Sequence, residues 1–152
     1  MNPKSFTVTE KMKIEAIGTK NPLIRFEVEE GHIRRFAQAI EDPNPEWNNE
    51  RDNTGNWEGP FAPPTFLRTI GVLKPELPFT VPYMRLLDGG SEWEYFDIPI
   101  KSGDSITTTA QVSDLFQRET KLGQMLFVIM KINYCNDDNR VIVVQTSTLI
   151  MY

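Results

Sequence analysis

At 152 residues the chain is long enough for one domain with a real core, since a domain of this size hides about two-thirds of its extended surface. Hydrophobic and charged fractions of 39% and 24% are those of a globular protein, not of a disordered or fibrous one. A net charge of −5, with no Lys/Arg run longer than Arg34-Arg35, argues against nucleic acid or an anionic membrane surface as partner.

Taken in order, Met1-Asn2-Pro3-Lys4 lacks the apolar run of a signal peptide, and no stretch approaches the ~18 apolar residues of a membrane span. A cytoplasmic protein is the expectation, and the lone Cys135, which excludes an intramolecular disulfide, fits a reducing compartment. Lys11 to Ile17 reads as a short helix. Leu23 to Val28 alternates as a strand does. Ile33, Phe36, Ala37 and Ile40 then fall at helical spacing, and that helix should stop ahead of Asp42-Pro43.

Asp42-Pro43-Asn44-Pro45 is a rigid turn, because each proline fixes its own φ near about −65° and pushes the preceding residue out of the helical region. Such a turn holds a carboxylate and an amide in a fixed relation. The polar stretch from Trp47 to Gly59 is longer than a simple turn, and loops of that length are more often functional than incidental. Gly59-Pro60-Phe61-Ala62-Pro63-Pro64-Thr65-Phe66 is a stiff approach to a second, more buried helix over Thr65 to Leu73, striped by Phe66, Ile70 and Leu73. The Asp42 turn and this helix start are expected to form one site.

Pro78 to Asp88 reads as irregular, and the period changes to two after Gly89-Gly90. Glu92 to Phe96 with Ile98 and Ile100 alternate; Lys101-Ser102-Gly103-Asp104 is a tight turn. Ser105 to Arg118 is a long strand with Ile106, Ala110, Val112 and Leu115 as inward candidates. Leu126 to Tyr134 is another, Asn136 to Asn139 is a hairpin loop, and Val141 to Met151 closes the chain. Helices first and about four long strands after them imply a single α+β domain spanning 1–152, with one antiparallel sheet wrapped on a central α-helix.

Phe36-Ala37, Asp42-Pro43-Asn44-Pro45, Ala62-Pro63-Pro64-Thr65-Phe66, Gly89-Gly90-Ser91-Glu92-Trp93-Glu94-Tyr95, Ile100 to Asp104 and Ser147 to Ile150 together resemble the MaoC-like, hot-dog-fold acyl-thioester hydratases and dehydratases. The chain is most similar to the N-terminal branch, the type I fatty-acid-synthase-like dehydratase domain, from about Val28 onward. The resemblance implies a hot-dog fold and a thioester of coenzyme A or acyl carrier protein as substrate, with no other cofactor. It also implies a second hot-dog subunit, or a homodimer, as partner. Active members carry Asp-x-Asn-Pro-aliphatic-His and a backbone N–H donor at the start of the central helix. Here Asp42 holds the acid position and Asn44 the amide position, but the histidine position is Trp47 and the donor glycine is Pro64.

Those departures are chemical. An indole offers only an N–H donor and cannot act as a base; proline has no N–H to give an enolate oxygen. The implied role is therefore a non-catalytic, acyl-binding subunit of an enoyl-CoA hydratase or (R)-3-hydroxyacyl-thioester dehydratase. The alternatives are a stand-alone hydratase or thioesterase, and an acyl-CoA-binding module without chemistry. Asp42 reads either as a residual catalytic acid or as a turn residue, Asn44 as a brace of that turn, and Trp47 as tunnel lining or plug. Thr65 reads as a docking point for a carbonyl or phosphate, or as a plain helix cap. Asn44, Trp47, Pro64, Thr65 and Phe66 are the substrate-binding candidates, and Phe61, Phe79, Tyr83 and Trp57 are further bulky residues available to a pocket. His32 reads as a solvated surface residue, Cys135 as an inert thiol, and Glu92 and Glu94 as a solvated strand face. The sequence shows no cluster at metal-ligand spacing.

Overall fold

The computed structural model describes residues 6–48, 59–71, 74–121 and 123–152. The chain runs α1 (Glu10–Ala16), β1 (Ile24–Glu27), α2 (Glu30–Ala39), α3 (Pro45–Asn48), a 3-10 turn (Phe66–Thr69), β2 (Leu86–Tyr95), β3 (Ser105–Thr120), β4 (Gly123–Cys135) and β5 (Val141–Met151). Thr9 caps α1, its hydroxyl accepting the Met12 N–H at 3.3 Å. No helix among the described residues is long and apolar enough to cross a membrane.

The helix expected over Thr65 to Leu73 is only the 3-10 turn. Ile70 leaves the helical region with ψ at 116°, and Leu73 lies outside the described residues. The local chemistry explains the shortening. Thr69, Ile70 and Gly71 are weak helix formers in succession, and Pro75 bars continuation.

All five strands form one antiparallel sheet in the order β1-β3-β4-β5-β2. The β3–β4 ladder extends from Thr107↔Cys135 to Thr120↔Gly123, with a bulge between Val112 and Asp114. That extra residue switches the inward parity of β3 from even to odd. Ile106, Ala110 and Val112 are therefore buried together with Leu115, as their apolar character demands.

β2 begins three residues before the glycine pair that reads as its boundary. Gly89-Gly90 lies inside the strand, at a bulge between Asp88 and Ser91. Gly90 takes φ +107°, and its N–H is held by Asp88 Oδ1 at 2.9 Å. Ile98 and Ile100, expected to extend this strand, fall outside it: Asp97 turns the chain at φ 54°, and a separate bridge joins Phe61 to Lys101.

One face of the sheet carries the core. Val112 and Leu115 of β3 and Leu126, Val128 and Met130 of β4 pack with Phe6, Ala16 and Tyr83. Farther along the same strands, Ile106, Ala110, Ile132 and Tyr134 pack with Ile33 of α2 and Phe66 and Leu67 of the turn. Helical segments thus cover one face of an antiparallel sheet, the α+β layering expected. Each of the larger apolar side chains, Val, Leu, Ile, Met or Phe, contributes about 1.5–3 kcal/mol when fully buried.

Gly89 is fixed by space. A Cβ there would stand 2.8 Å from Thr148 Cγ2 and 3.1 Å from Ile150 Cδ1. Gly89→Ala is expected to destabilise the domain by about 1–3 kcal/mol in denaturant melts, the usual penalty of overpacking. Adding Thr148→Ser, which removes the nearer methyl, should recover part of that loss.

Candidate functional site

The site candidate starts where α2 stops. The Asp42 N–H reaches back to the Ala37 carbonyl (3.0 Å) and the Glu41 N–H to that of Gln38 (3.1 Å). This is a Schellman closure, in which the residue after the cap must be left-handed. Glu41 fills that position with φ 55°, a conformation that a glycine would adopt without strain. The closure delivers Asp42 at a fixed angle.

Both oxygens of the Asp42 carboxylate are then engaged. Oδ1 accepts the Asn44 N–H at 3.0 Å, and Oδ2 accepts the Trp47 indole N–H at 2.8 Å. Asn44 in turn caps α3: its Oδ1 takes the Glu46 N–H at 3.0 Å, with Pro45 at the first helical position. The rigid turn is a chain of side-chain caps, and Trp47 closes it. Trp47 also packs, partly buried, against the same core cluster as Ala62.

The two predicted segments do adjoin. The Phe61 N–H donates to the Glu46 carbonyl at 3.0 Å, and the Ala62 N–H to that of Ile100 at 2.7 Å. Pro63 is buried, while Pro64 and Thr65 are exposed. The Pro64 carbonyl accepts the Tyr95 hydroxyl from the end of β2. Thr65 precedes the 3-10 turn without any side-chain cap bond. Phe66 is fully buried, ringed by Phe36, His32 and Phe26 at centroid distances of 5.9, 6.1 and 6.3 Å. His32 is thus not a freely solvated residue; it is half-buried between Phe26 and Phe66 because the apolar face of α2 carries it there.

Beyond this turn, a cavity of about 290 Å³ opens between the 3-10 segment and strands β2, β4 and β5. Leu67, Ile70, Trp93 and Ile132 supply apolar wall, and Tyr134, Gln145, Ser147 and Thr148 with the charged Arg68, Lys74 and Asp88 supply the polar part of the lining. The Tyr134 hydroxyl donates to Gln145 Oε1 (2.7 Å), and Gln145 Nε2 donates to Ser91 Oγ (2.8 Å). Burial holds the Tyr134 hydroxyl well above the usual phenol range, so it stays protonated as a donor. Arg68 pairs with Asp88 at 2.7 Å, and this bond, followed by that from the Gly90 N–H, lowers the Asp88 carboxyl below the ordinary carboxylate range.

None of Asp42, Asn44, Trp47, Pro64, Thr65 and Phe66 is in the wall of this cavity; Pro64 lines a separate groove with Tyr95 and Ile98. Tyr83 is buried in the second core cluster, Phe79 lines a further cavity beside Met130 and Leu149, and Trp57 lies outside the described residues. The cavity's polar pair was open to detection: Gln145 sits at an inward position in a β-branched run, flanked two residues away by buried Val143. Cys135, at the end of β4, is half-buried, and burial raises its thiol.

Trp47→Phe and Asp42→Asn should each cost about 1–3 kcal/mol, the range for a bond to a charged group or a partner left unpaired. In a double-mutant cycle read by denaturant midpoints, the combined variant should lose less than the sum.

Comparisons with known proteins agree with this geometry. The family described as "FAS1-like, dehydratase domain region" matches residues 15–145. A "UPF0336 protein" of Streptomyces avermitilis is 29% identical over 100 residues, covering 62% of this chain and 66% of that protein. Among solved structures, the MaoC-like dehydratase from Rhodospirillum rubrum aligns with a TM-score of 0.62 at 20% identity, over 90% of this chain and 92% of that one. The ChsH1-ChsH2 complex from Mycobacterium tuberculosis aligns with a TM-score of 0.68 at 17% identity, over 93% of this chain and 92% of that one. These structural likenesses establish a hot-dog fold.

Proposed function

This chain belongs to the family of FAS1-like dehydratase domain regions, and we propose that it is a non-catalytic, acyl-binding subunit of an enoyl-CoA hydratase or (R)-3-hydroxyacyl-thioester dehydratase. Its catalytic partner would be a second hot-dog chain. The carrying observation is the clasp on Asp42, whose two carboxylate oxygens accept the Asn44 N–H and the Trp47 indole N–H. Hydration of an enoyl thioester needs a base to take a proton from water and a donor to hold the enolate oxygen. Asp42 is committed to two structural bonds, Trp47 supplies a donor where a base is required, and Pro64 has no N–H for the oxyanion.

What remains suits binding. The 290 Å³ cavity, with Leu67, Ile70, Trp93 and Ile132 on its apolar side, is the chamber we assign to the acyl chain. Tyr134 and Gln145 are already bonded to each other, and Gln145 to Ser91, so their main polar groups are engaged beside that chamber. The match to the ChsH1-ChsH2 complex supports a hetero-oligomeric setting, and a reaction divided between chains tolerates the loss of chemistry in one of them.

Loss of an oxyanion donor costs about 10²–10³ in rate and loss of an acid–base group about 10²–10⁴, so the isolated chain should hydrate crotonyl-CoA and longer enoyl-CoAs at least about 10⁴-fold more slowly than the co-purified complex. Co-expression with a hot-dog hydratase encoded beside it, followed by ultraviolet assay of enoyl-thioester loss, makes the comparison. Within the complex, Asp42→Asn should reduce turnover by far less than the 10²-fold expected of a general acid–base group. Full activity in the single chain, abolished by Asp42→Asn, would reverse the assignment.

A further inference from the structure

The chamber assigned to the acyl chain has a polar floor that a plain alkyl chain has no use for. Gln145 and Ser147 stand two residues apart on β5, so they project to the same face, and both line the cavity. Gln145 is 5% exposed and sits between Ile132 on β4 and Trp93 on β2. Ser147 sits between Met130 on β4 and Ser91 on β2. A chamber for methylenes alone is best walled by apolar groups, because a polar group that faces hydrocarbon without a partner is penalised.

The hydrogen bonds along this floor run one way. The Tyr134 hydroxyl donates to Gln145 Oε1 at 2.7 Å, and the amide nitrogen of Gln145 donates to Ser91 Oγ at 2.8 Å. The Ser91 oxygen is thus already used as an acceptor, and its O–H has no acceptor among the described residues. The Ser147 hydroxyl, on the residue paired with Ser91 across the ladder, makes no hydrogen bond among the described residues either. Two hydroxyls on adjacent strands therefore keep a proton to give. Cross-strand partners hold their Cβ atoms about 4.5–5.5 Å apart, so a single ligand oxygen can reach both.

The charged part of the lining does not ask for an anion at this point. Arg68 is paired with Asp88 at 2.7 Å, and Lys74 is exposed. The groups left with bonding capacity on the floor are neutral donors, and their complement is a neutral acceptor oxygen.

We propose that the cavity selects acyl chains that carry a ketone or hydroxyl oxygen away from the thioester, and that Ser147 and Ser91 are the subsite that recognises it. Gln145, held by Tyr134, positions Ser91 for this. The proposal rests on the acyl-binding role given above and deepens it by naming the class of chain. A site built to bond a substrate oxygen discriminates against the analogue that lacks it, because its own polar groups are then left unpaired.

Octanoyl-CoA and 7-oxooctanoyl-CoA have the same chain length and differ in one oxygen. Calorimetric titration of each into the chain, alone and in the co-purified complex, reads the preference. The oxo chain should bind about tenfold more tightly, the combined effect of two net hydrogen bonds. Ser147→Ala should reduce that preference to about threefold or less, with octanoyl-CoA affinity and the thermal midpoint unchanged. Ser147→Thr keeps the hydroxyl and should retain most of the preference. Equal binding of the two chains, or a preference that survives Ser147→Ala, overturns the proposal and leaves the acyl-binding role standing. Tighter binding of octanedioyl-CoA than of either, lost in Lys74→Met and kept in Ser147→Ala, overturns it in favour of charge recognition. If no acyl-CoA binds to the chain or to the complex, the acyl-binding role itself falls and takes the proposal with it.

Discussion

The pleat of the long β3–β4 ladder puts every second side chain on one face, and that face cannot be left in water. Ile106, Ala110, Val112, Leu115, Leu126, Val128, Ile132 and Tyr134 all project onto it. At about 25 cal/mol per Å² of apolar surface, leaving such a stripe exposed would exceed the whole stability of a domain. The rest of the chain is arranged to cover it. The end of α1 and Tyr83 close one end, and α2 with the 3-10 turn closes the other. The Asp42 turn occurs where it does because α2 must end and let the chain return to the same core at Ala62 and Phe66.

That return is held by local polar contacts as well as by the packing of Trp47, Ala62 and Phe66 on the core. Glu41 in the left-handed region, Asp42 capping Asn44, Asn44 capping Glu46 and the indole of Trp47 closing back on Asp42 form a sequence of local bonds within seven residues. A left-handed non-glycine residue persists only where its surroundings over-determine it. Here the Schellman closure and the Trp47 bond do so from both sides. In a chain that kept a base at position 47, the same carboxylate would face a group able to exchange a proton; with tryptophan it faces a donor that never gives its proton up.

Much of the fold was legible in the sequence because the long strands carry runs of β-branched and apolar residues and their ends are marked by turn formers. The start of β2 was not. Gly89-Gly90 has the look of a boundary, and only the nearness of Thr148 and Ile150 on the neighbouring strand reveals that Gly89 is there to let two strands approach. The stripe of Phe66, Ile70 and Leu73 has helical spacing, yet Thr69, Ile70 and Gly71 cannot sustain the helix, so period and propensity disagreed and propensity prevailed. At the site, the rigidity of the Asp42 turn follows from its prolines. That the indole of Trp47 would bond Asp42 does not, because four intervening residues permit many geometries and tertiary packing chooses one. Gln145 is the opposite case: a polar residue at an inward position of a β-branched strand, findable from parity alone.

The same Gln145 joins the cavity to the edge of the sheet. Tyr134 on β4 donates to it, and it donates to Ser91 on β2, so one buried chain of hydrogen bonds crosses three adjacent strands. Tyr134 is 1% exposed and kept neutral by burial, which fixes the direction of the first bond and thereby the orientation of the Gln145 amide and of the second. Trp93, next to Glu92 and Glu94 on β2, lies over Tyr134 at a centroid distance of 5.8 Å. The floor of the cavity and the edge that carries the two glutamates are therefore one mechanical unit. In a low-dielectric interior a network of this kind is stable only when every member is satisfied. A shift of the edge strand large enough to break the Ser91 bond would leave the Gln145 amide unpaired beside the cavity, at a cost of about 1–3 kcal/mol. The position of the edge is thus set from inside the pocket, which fixes the register and face of β2.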